Sequence, residues 1–225
     1  MDVTAVRPGW SAYRIRRHVK DPFPGLSHGT GAVLALIGLL CLLFTARDGA
    51  AAVVGVSVYG ACLILLYTAS CLAHSLRGTR RFEDLLNRLD YAAIFLLIAG
   101  TYTPVCLTTL RGPWGWSILS IQWTMALLGA AMVLAVGPRK VWVALYLPMG
   151  WAVLAATGPL SARMETAALA CLIVGGLIYS VGAVVFLSQR PRLWPGRFDS
   201  HDLWHTLVLL ASGCHFATVW VITAA

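Results

Sequence analysis

The sequence predicts an all-α integral membrane protein built as a bundle of seven transmembrane helices, and three observations support this fold class. The 225 residues are 59% hydrophobic and only 12% charged, which is more apolar surface than a soluble domain of this length can bury. The apolar residues form repeated runs of roughly 17 to 25 residues, the length that a helix needs to cross a bilayer. Charged residues, glycines and prolines gather in the short connectors between the runs.

The seven spans follow one another after a basic segment, residues 1–27, which we expect to be cytoplasmic, so that residues 28–225 form the membrane domain. The first apolar run lacks a small-residue cleavage site, and we expect the helices themselves to insert the chain. The fifth span is the weakest, because Pro148 and Gly150 lie in its middle and neighbouring helices must satisfy the freed backbone groups. The predicted spans are 28–46, 51–74, 90–110, 116–136, 141–158, 165–187 and 204–224.

The connectors between the spans predict the orientation of the bundle. All but three of the 17 lysines and arginines lie in the N-terminal segment and in the second, fourth and sixth loops; the exceptions are Arg47, Arg111 and Arg163. The positive-inside rule therefore puts the N-terminus in the cytoplasm and the C-terminus outside. Anionic membrane lipids at the cytoplasmic face account for the net charge of +8, and we expect no nucleic-acid partner.

Five polar side chains fall at one predicted membrane depth. His201 and His205 are four residues apart at the start of the seventh span, and this spacing puts them on one face of a helix. His74 ends the second span, Ser70 lies one turn deeper on the same face, and Asp90 begins the third span. Ionisable residues inside a membrane segment are costly, so each is a functional candidate. Their shared depth predicts a single site.

The residue types in this set suit zinc chemistry. Three neutral imidazoles, those of His74, His201 and His205, are a common ligand set for a catalytic Zn²⁺, which activates water as a nucleophile. Asp90 is the candidate general acid and base. Each residue also has a simpler interpretation. Asp90 could cap a helix N-terminus, and Ser70 could bond its own backbone one turn back. The histidine pair could be no more than a polar helix entrance.

His28 allows two interpretations. It opens the first predicted span at the depth of the histidine pair. It could be a hydrogen-bonded histidine at a helix start, or it could support the metal ligands from behind.

The same residues, in the same order, resemble the motifs of the hemolysin III family. That family belongs with the progestin and adipoQ receptors and is more distantly similar to the alkaline ceramidases. The resemblance extends from His28-Gly29 to His215-Phe216. The motifs that carry it are Ser70-Cys71-Leu72-Ala73-His74, Leu89-Asp90-Tyr91, Gly100-Thr101-Tyr102-Thr103-Pro104 and His201-Asp202-Leu203-Trp204-His205.

The resemblance implies a seven-helix bundle with its N-terminus inside, as the charge distribution also predicts. It makes His74, His201 and His205 the zinc ligands, with Asp90 and Ser70 as polar partners near the water that the zinc would bind. The chain lacks the long N-terminal region of the animal receptors and is similar to the short bacterial form, which implies the plasma membrane of a bacterium.

Three functions are compatible with this resemblance. Its ceramidase relatives imply a zinc-dependent hydrolase that cleaves an amide in a membrane lipid. A non-catalytic sensor or membrane-homeostasis protein, with a structural zinc, is the first alternative, and the family name suggests cytolysis as the second. Three histidines leave one zinc position open, which favours catalysis, whereas direct binding by Asp90 would close the site and favour a structural role. A polar site at one end of a bundle does not suit pore formation.

Overall fold

The computed structural model describes residues 19–47, 49–194 and 197–224, and nearly all of these residues are helical. Most of the predicted basic N-terminal segment, residues 1–18, lies outside these ranges. Within them no β-sheet forms, and Trp194 and Phe198 make one isolated bridge. The α-helices are α1 (Pro22–Thr45), α2 (Gly49–Ser75), α3 (Arg80–Pro104), α4 (Gly112–Val136), α5 (Lys140–Trp151), α6 (Thr157–Arg163), α7 (Thr166–Ser188) and α8 (Ser200–Ala224).

Seven helical stretches in the described ranges are long and apolar enough to cross a membrane, which confirms the predicted fold class. The third stretch continues from α3 through a π-helical turn, Val105–Leu110, and the fifth consists of α5 and α6 joined by the 3-10 turn Ala152–Ala156. The cytoplasmic location of the N-terminus stays a prediction, because helix length and composition do not distinguish the two sides.

Three helices begin earlier than the hydropathy pattern predicts. Helix α1 begins at Pro22, where a proline suits the first turn, and α8 begins at Ser200. Helix α3 begins at Arg80, capped by Thr79, whose side chain accepts a hydrogen bond from Phe82 N at 3.4 Å. Asp90 therefore lies well inside α3, and its interpretation as an N-terminal helix cap is wrong. Hydropathy finds the apolar part of a helix and misses the polar turns that precede it.

Helix α3 occupies the centre of the bundle. Its apolar segment is 72% buried, whereas no other span exceeds 44%. It packs against α2 and α4 and also contacts α5 and α8. Helices α1 and α8 lie side by side, so the first and last spans meet. Side chains on α3 can consequently face residues from both ends of the sequence.

The break between α5 and α6 is stabilised by neighbouring helices, as predicted. The Tyr102 hydroxyl lies 2.9 Å from Met149 O and 2.7 Å from Gly150 O, and it accepts a hydrogen bond from Val153 N at 2.8 Å. Gln122 Nε2 also donates to Met149 O at 2.8 Å. These bonds satisfy the backbone groups that the irregular turn leaves free.

Candidate metal centre

Three imidazoles converge at the end of the bundle where α1, α3 and α8 begin and α2 ends. One ligand nitrogen from each of His74, His201 and His205 lies within 4.8 Å of the others. His201 Nε2 and His205 Nε2 are 3.1 Å apart, and the His74 ring centre lies 5.1 Å and 4.7 Å from theirs. The predicted residues therefore come together as a set that could hold one metal ion.

The first turn of α8 holds its two histidines in place. Asp199 Oδ1 accepts hydrogen bonds from His201 N at 2.8 Å and from Asp202 N at 3.2 Å, and Asp199 N donates to Asp202 Oδ2 at 3.0 Å. This reciprocal arrangement satisfies backbone donors at the helix start, as capping residues do. His201 and His205 then follow one turn apart on the face that meets His74.

Asp90 lies beside the trio on the central helix. Its Oδ2 atom is 3.8 Å from His74 Nε2, and its side chain is 14% exposed. This distance is too long for a hydrogen bond. The carboxylate therefore faces His74 Nε2 without being bonded to it.

Ser70 lies one turn before His74 and is 1% exposed. Among the described residues its hydroxyl has no hydrogen-bond partner, so the bond to its own backbone, the simpler interpretation of Ser70, does not form. Asp90 is its charged neighbour in the site. A buried polar atom without a partner is unusual, and the imidazole nitrogens of the trio in the same site are ligands that zinc prefers. The residues present therefore fit a bound zinc ion.

Asp21 makes a contact that the sequence analysis did not predict. Its Oδ2 atom is 3.1 Å from His74 Nδ1, and its backbone N donates to His74 O at 2.7 Å. The pKa of the Asp21 carboxyl lies below its usual value, chiefly because of the hydrogen bond with His74, so the group is a carboxylate at neutral pH. The two residues are 53 positions apart, and hydropathy placed Asp21 outside the membrane domain.

His28 contacts the second ligand histidine of α8. It is 2% exposed, and its Nε2 atom lies 3.1 Å from His205 Nδ1. The Tyr67 ring packs edge-on against it, with ring centres 5.0 Å apart. His28 lies inside α1 and not at its start. Of its two interpretations, the contacts favour support behind a metal ligand.

A large cavity extends from the histidines into the bundle. Its volume is about 930 Å³, near the upper end of the roughly 300–1,000 Å³ found for ligand pockets. The walls are mainly apolar, and the far part is lined by Gly150, Leu154 and Thr157 of the broken fifth span. His215 lies deeper along α8 than the trio and also lines the cavity. A long apolar ligand fits this space with one end at the histidines.

Known proteins are similar to this chain over most of its length. The profile of the family described as "Haemolysin-III related" matches residues 16–216, a range that contains every residue of the site. "Hemolysin-3" of Bacillus cereus is 39% identical over 211 residues, 92% of this chain and 93% of that protein. "Hemolysin-3 homolog" of Bacillus subtilis (strain 168) is 35% identical over 198 residues, 86% and 90% of the two chains. The "Adiponectin receptor protein" of Drosophila melanogaster is 28% identical over 177 residues, 67% of this chain and 36% of that protein.

Proposed function

The chain belongs to the hemolysin III family, and an adiponectin receptor is a more distant relative. Its seven apolar helices make it a multi-pass membrane protein of the plasma membrane. We propose that it is a zinc-dependent hydrolase that cleaves a lipid amide. The observation that carries the proposal is the position of three imidazoles, a carboxylate and a buried hydroxyl at one end of an apolar cavity. A zinc ion held by the imidazoles would polarise the substrate carbonyl and activate water as the nucleophile.

The side chains take separate roles in this proposal. His74, His201 and His205 bind the metal. Asp90 accepts a proton from the attacking water and delivers it to the amine nitrogen as the C–N bond breaks, so that amide and water give a carboxylic acid and an amine. The Ser70 hydroxyl donates a hydrogen bond to the carboxylate or to the oxyanion that develops on the carbonyl, which is a smaller contribution.

The cavity supports a lipid as the substrate class. Its apolar walls suit an acyl chain, and Leu154, one of the lining residues, is 55% exposed. We expect a lipid to enter the cavity directly from the bilayer. An acyl chain in the cavity would displace water from the apolar walls, which would strengthen electrostatic interactions at the polar end. Membrane lipids are thus both the surroundings and the proposed substrates.

A sensor or membrane-homeostasis role with a structural zinc is the second candidate. The observation in its favour is that Asp90 Oδ2 lies only 3.8 Å from His74 Nε2. A small movement would make Asp90 a fourth ligand and join α2, α3 and α8 through the metal, as in closed structural zinc sites. Cytolysis, which the name of the Bacillus cereus relative suggests, is the third, and no specific contact of the described residues favours it.

Lipid hydrolysis by the purified protein distinguishes these functions. Zinc-loaded protein in detergent is incubated with N-acyl lipids, ceramides included, and the fatty acid released is quantified by mass spectrometry. The proposal predicts release that zinc chelation abolishes and that Asp84→Asn leaves unchanged, because Asp84 is exposed and pairs with Arg88 away from the trio. Zinc-loaded protein that releases no fatty acid from any of these lipids would favour the sensor.

A further inference from the structure

Helix α1 supplies no histidine to the trio, yet His28 within it and Asp21 directly before it contact the Nδ1 atoms of His205 and His74. We propose that Asp21 and His28 are positioning residues that hold His74 and His205 with their Nε2 atoms toward the metal and thereby set the affinity of the site. The proposal rests on metal binding by the trio, which is part of the proposed function, and it is independent of hydrolysis.

Asp21 determines which nitrogen of His74 is available. A carboxylate can only accept hydrogen bonds, so the 3.1 Å contact with Oδ2 requires His74 Nδ1 to carry the hydrogen. The lone pair then lies on Nε2, the nitrogen that faces Asp90. The additional bond from Asp21 N to His74 O, at 2.7 Å, fixes the two residues to one another. A carboxylate behind a ligand histidine also strengthens that nitrogen as a donor to a metal.

His28 has the corresponding effect on His205. Its Nε2 atom is 3.1 Å from His205 Nδ1, so one of the two nitrogens must donate. When His205 Nδ1 donates, its lone pair lies on Nε2, which is 3.1 Å from His201 Nε2. The burial of His28 and the edge contact with Tyr67 keep its own ring from turning away.

Both contacts come from one short stretch of chain, residues 21–28, which packs across the end of α2 and the start of α8. Lys20, directly before this stretch, also contacts its neighbours: Lys20 N donates to Ser75 O at 3.4 Å, and its side chain pairs with Glu83 at 3.3 Å. The start of the first span therefore fixes ligands that lie on two other helices. Without these contacts the two imidazoles could rotate or change tautomer, and loss of such a supporting partner typically weakens metal binding about 10- to 100-fold.

Zinc affinity of the full-length protein tests the proposal. Metal-free protein in detergent is titrated with Zn²⁺ in competition with a chromogenic chelator, for the wild type and for Asp21→Asn, His28→Phe and His28→Gln. We expect each variant to bind about one zinc at saturation with an affinity about 10- to 100-fold below that of the wild type. Asp84→Asn, which removes an exposed carboxylate bonded to Arg88, serves as the matched control and should bind zinc like the wild type.

Two further measurements separate positioning from a general effect on folding. The thermal unfolding midpoint of the metal-free variants should equal that of the metal-free wild type. In a His74→Ala background, Asp21→Asn should change the residual zinc affinity no further, because the ring on which it acts is gone. Wild-type affinity in Asp21→Asn and in both His28 variants, or a wild type that binds no zinc, would overturn the inference. If the wild type binds zinc, the variants bind it more weakly as expected, and no lipid is hydrolysed, the proposed function is refuted and this inference stands.

Discussion

Asp90 and His74 lie on consecutive helices and face each other, with 3.8 Å between Oδ2 and Nε2. A loop of four residues, 76–79, joins α2 to α3, so the two side chains are brought together locally. His201 and His205 reach them from the last helix, more than a hundred residues later in the sequence. The site therefore combines two residues that are close in the sequence, His74 and Asp90, with two from the far end of the chain.

The Asp90→Asn substitution separates metal binding from turnover. It keeps the shape of the side chain and removes the base, so the variant should retain zinc and lose about 10²- to 10⁴-fold in turnover. Ser70→Ala should lose less, because its hydroxyl only donates a hydrogen bond. Metal analysis and fatty-acid release on the same preparations check both values.

The control for this prediction is Asp84→Asn, which should keep both zinc and activity. Loss of zinc from Asp90→Asn would make Asp90 a ligand and the site a structural one. If Ser70→Ala loses as much turnover as Asp90→Asn, Ser70 has a larger role than donating a hydrogen bond, and the proposed roles of the two residues are wrong.

Reporter fusions test the orientation of the bundle. The excess of lysine and arginine on one side predicts that the N-terminus is cytoplasmic and the C-terminus outside. Alkaline phosphatase fused after Ala225 should be active in the exported compartment, and the same enzyme fused after Lys140 should be inactive. The opposite pattern would reverse the orientation and move the metal site to the other face of the membrane.

Zinc retention should depend on pH with a definite sign. A histidine ligand must be neutral to bind metal, so protons compete with zinc for the three imidazoles as the pH falls. Retention after dialysis should therefore be complete above neutral pH and fall in mild acid. Zinc that stays bound in strong acid, or that leaves only as the pH rises, would contradict ligation by three histidines.

The packing of α2 against the end of α3 leaves no room for a methyl group at Gly55. A Cβ atom there would lie 2.8 Å from Pro104 Cα, which is backbone. Helix propensity alone would make Gly→Ala stabilising, but the overlap should make Gly55→Ala destabilising by about 1–3 kcal/mol. The matched variant is Gly213→Ala in α8, where a Cβ meets nothing within 4 Å, and it should be neutral or stabilising. A thermal unfolding midpoint for Gly55→Ala at or above the wild-type value would contradict this packing.

Hydropathy predicted the seven spans, because each span is a local run of apolar residues. It also predicted that His74, His201 and His205 meet, because the position of a residue along its span gives its depth in the membrane, and these three have the same depth. The helix starts were missed because Thr79 and Asp199 begin helices in polar sequence, outside the apolar runs. A threonine before a helical pattern is a known start signal and could have placed Asp90 inside α3.

The contacts of Asp21 with His74 and of His28 with His205 could not be predicted from the sequence. Asp21 reaches His74 across 53 residues, and its own neighbours in the chain mark it as part of a basic, solvent-facing segment. Which residues lie behind a ligand depends on how helices pack side by side, and neither periodicity nor charge encodes that packing. His28 was ambiguous for the same reason, since its depth was predicted but its neighbour was not.

The metal content of the purified protein is the most direct test of zinc binding by His74, His201 and His205. Mass spectrometry of the metal should find about one zinc per chain in the wild type and a sharp loss in His74→Ala, in His201→Ala and in His205→Ala. His215→Ala is the control, because His215 lies deeper on α8 and outside the trio, and it should retain zinc. Equal zinc content in the wild type and the three trio variants would show that these histidines do not bind the zinc.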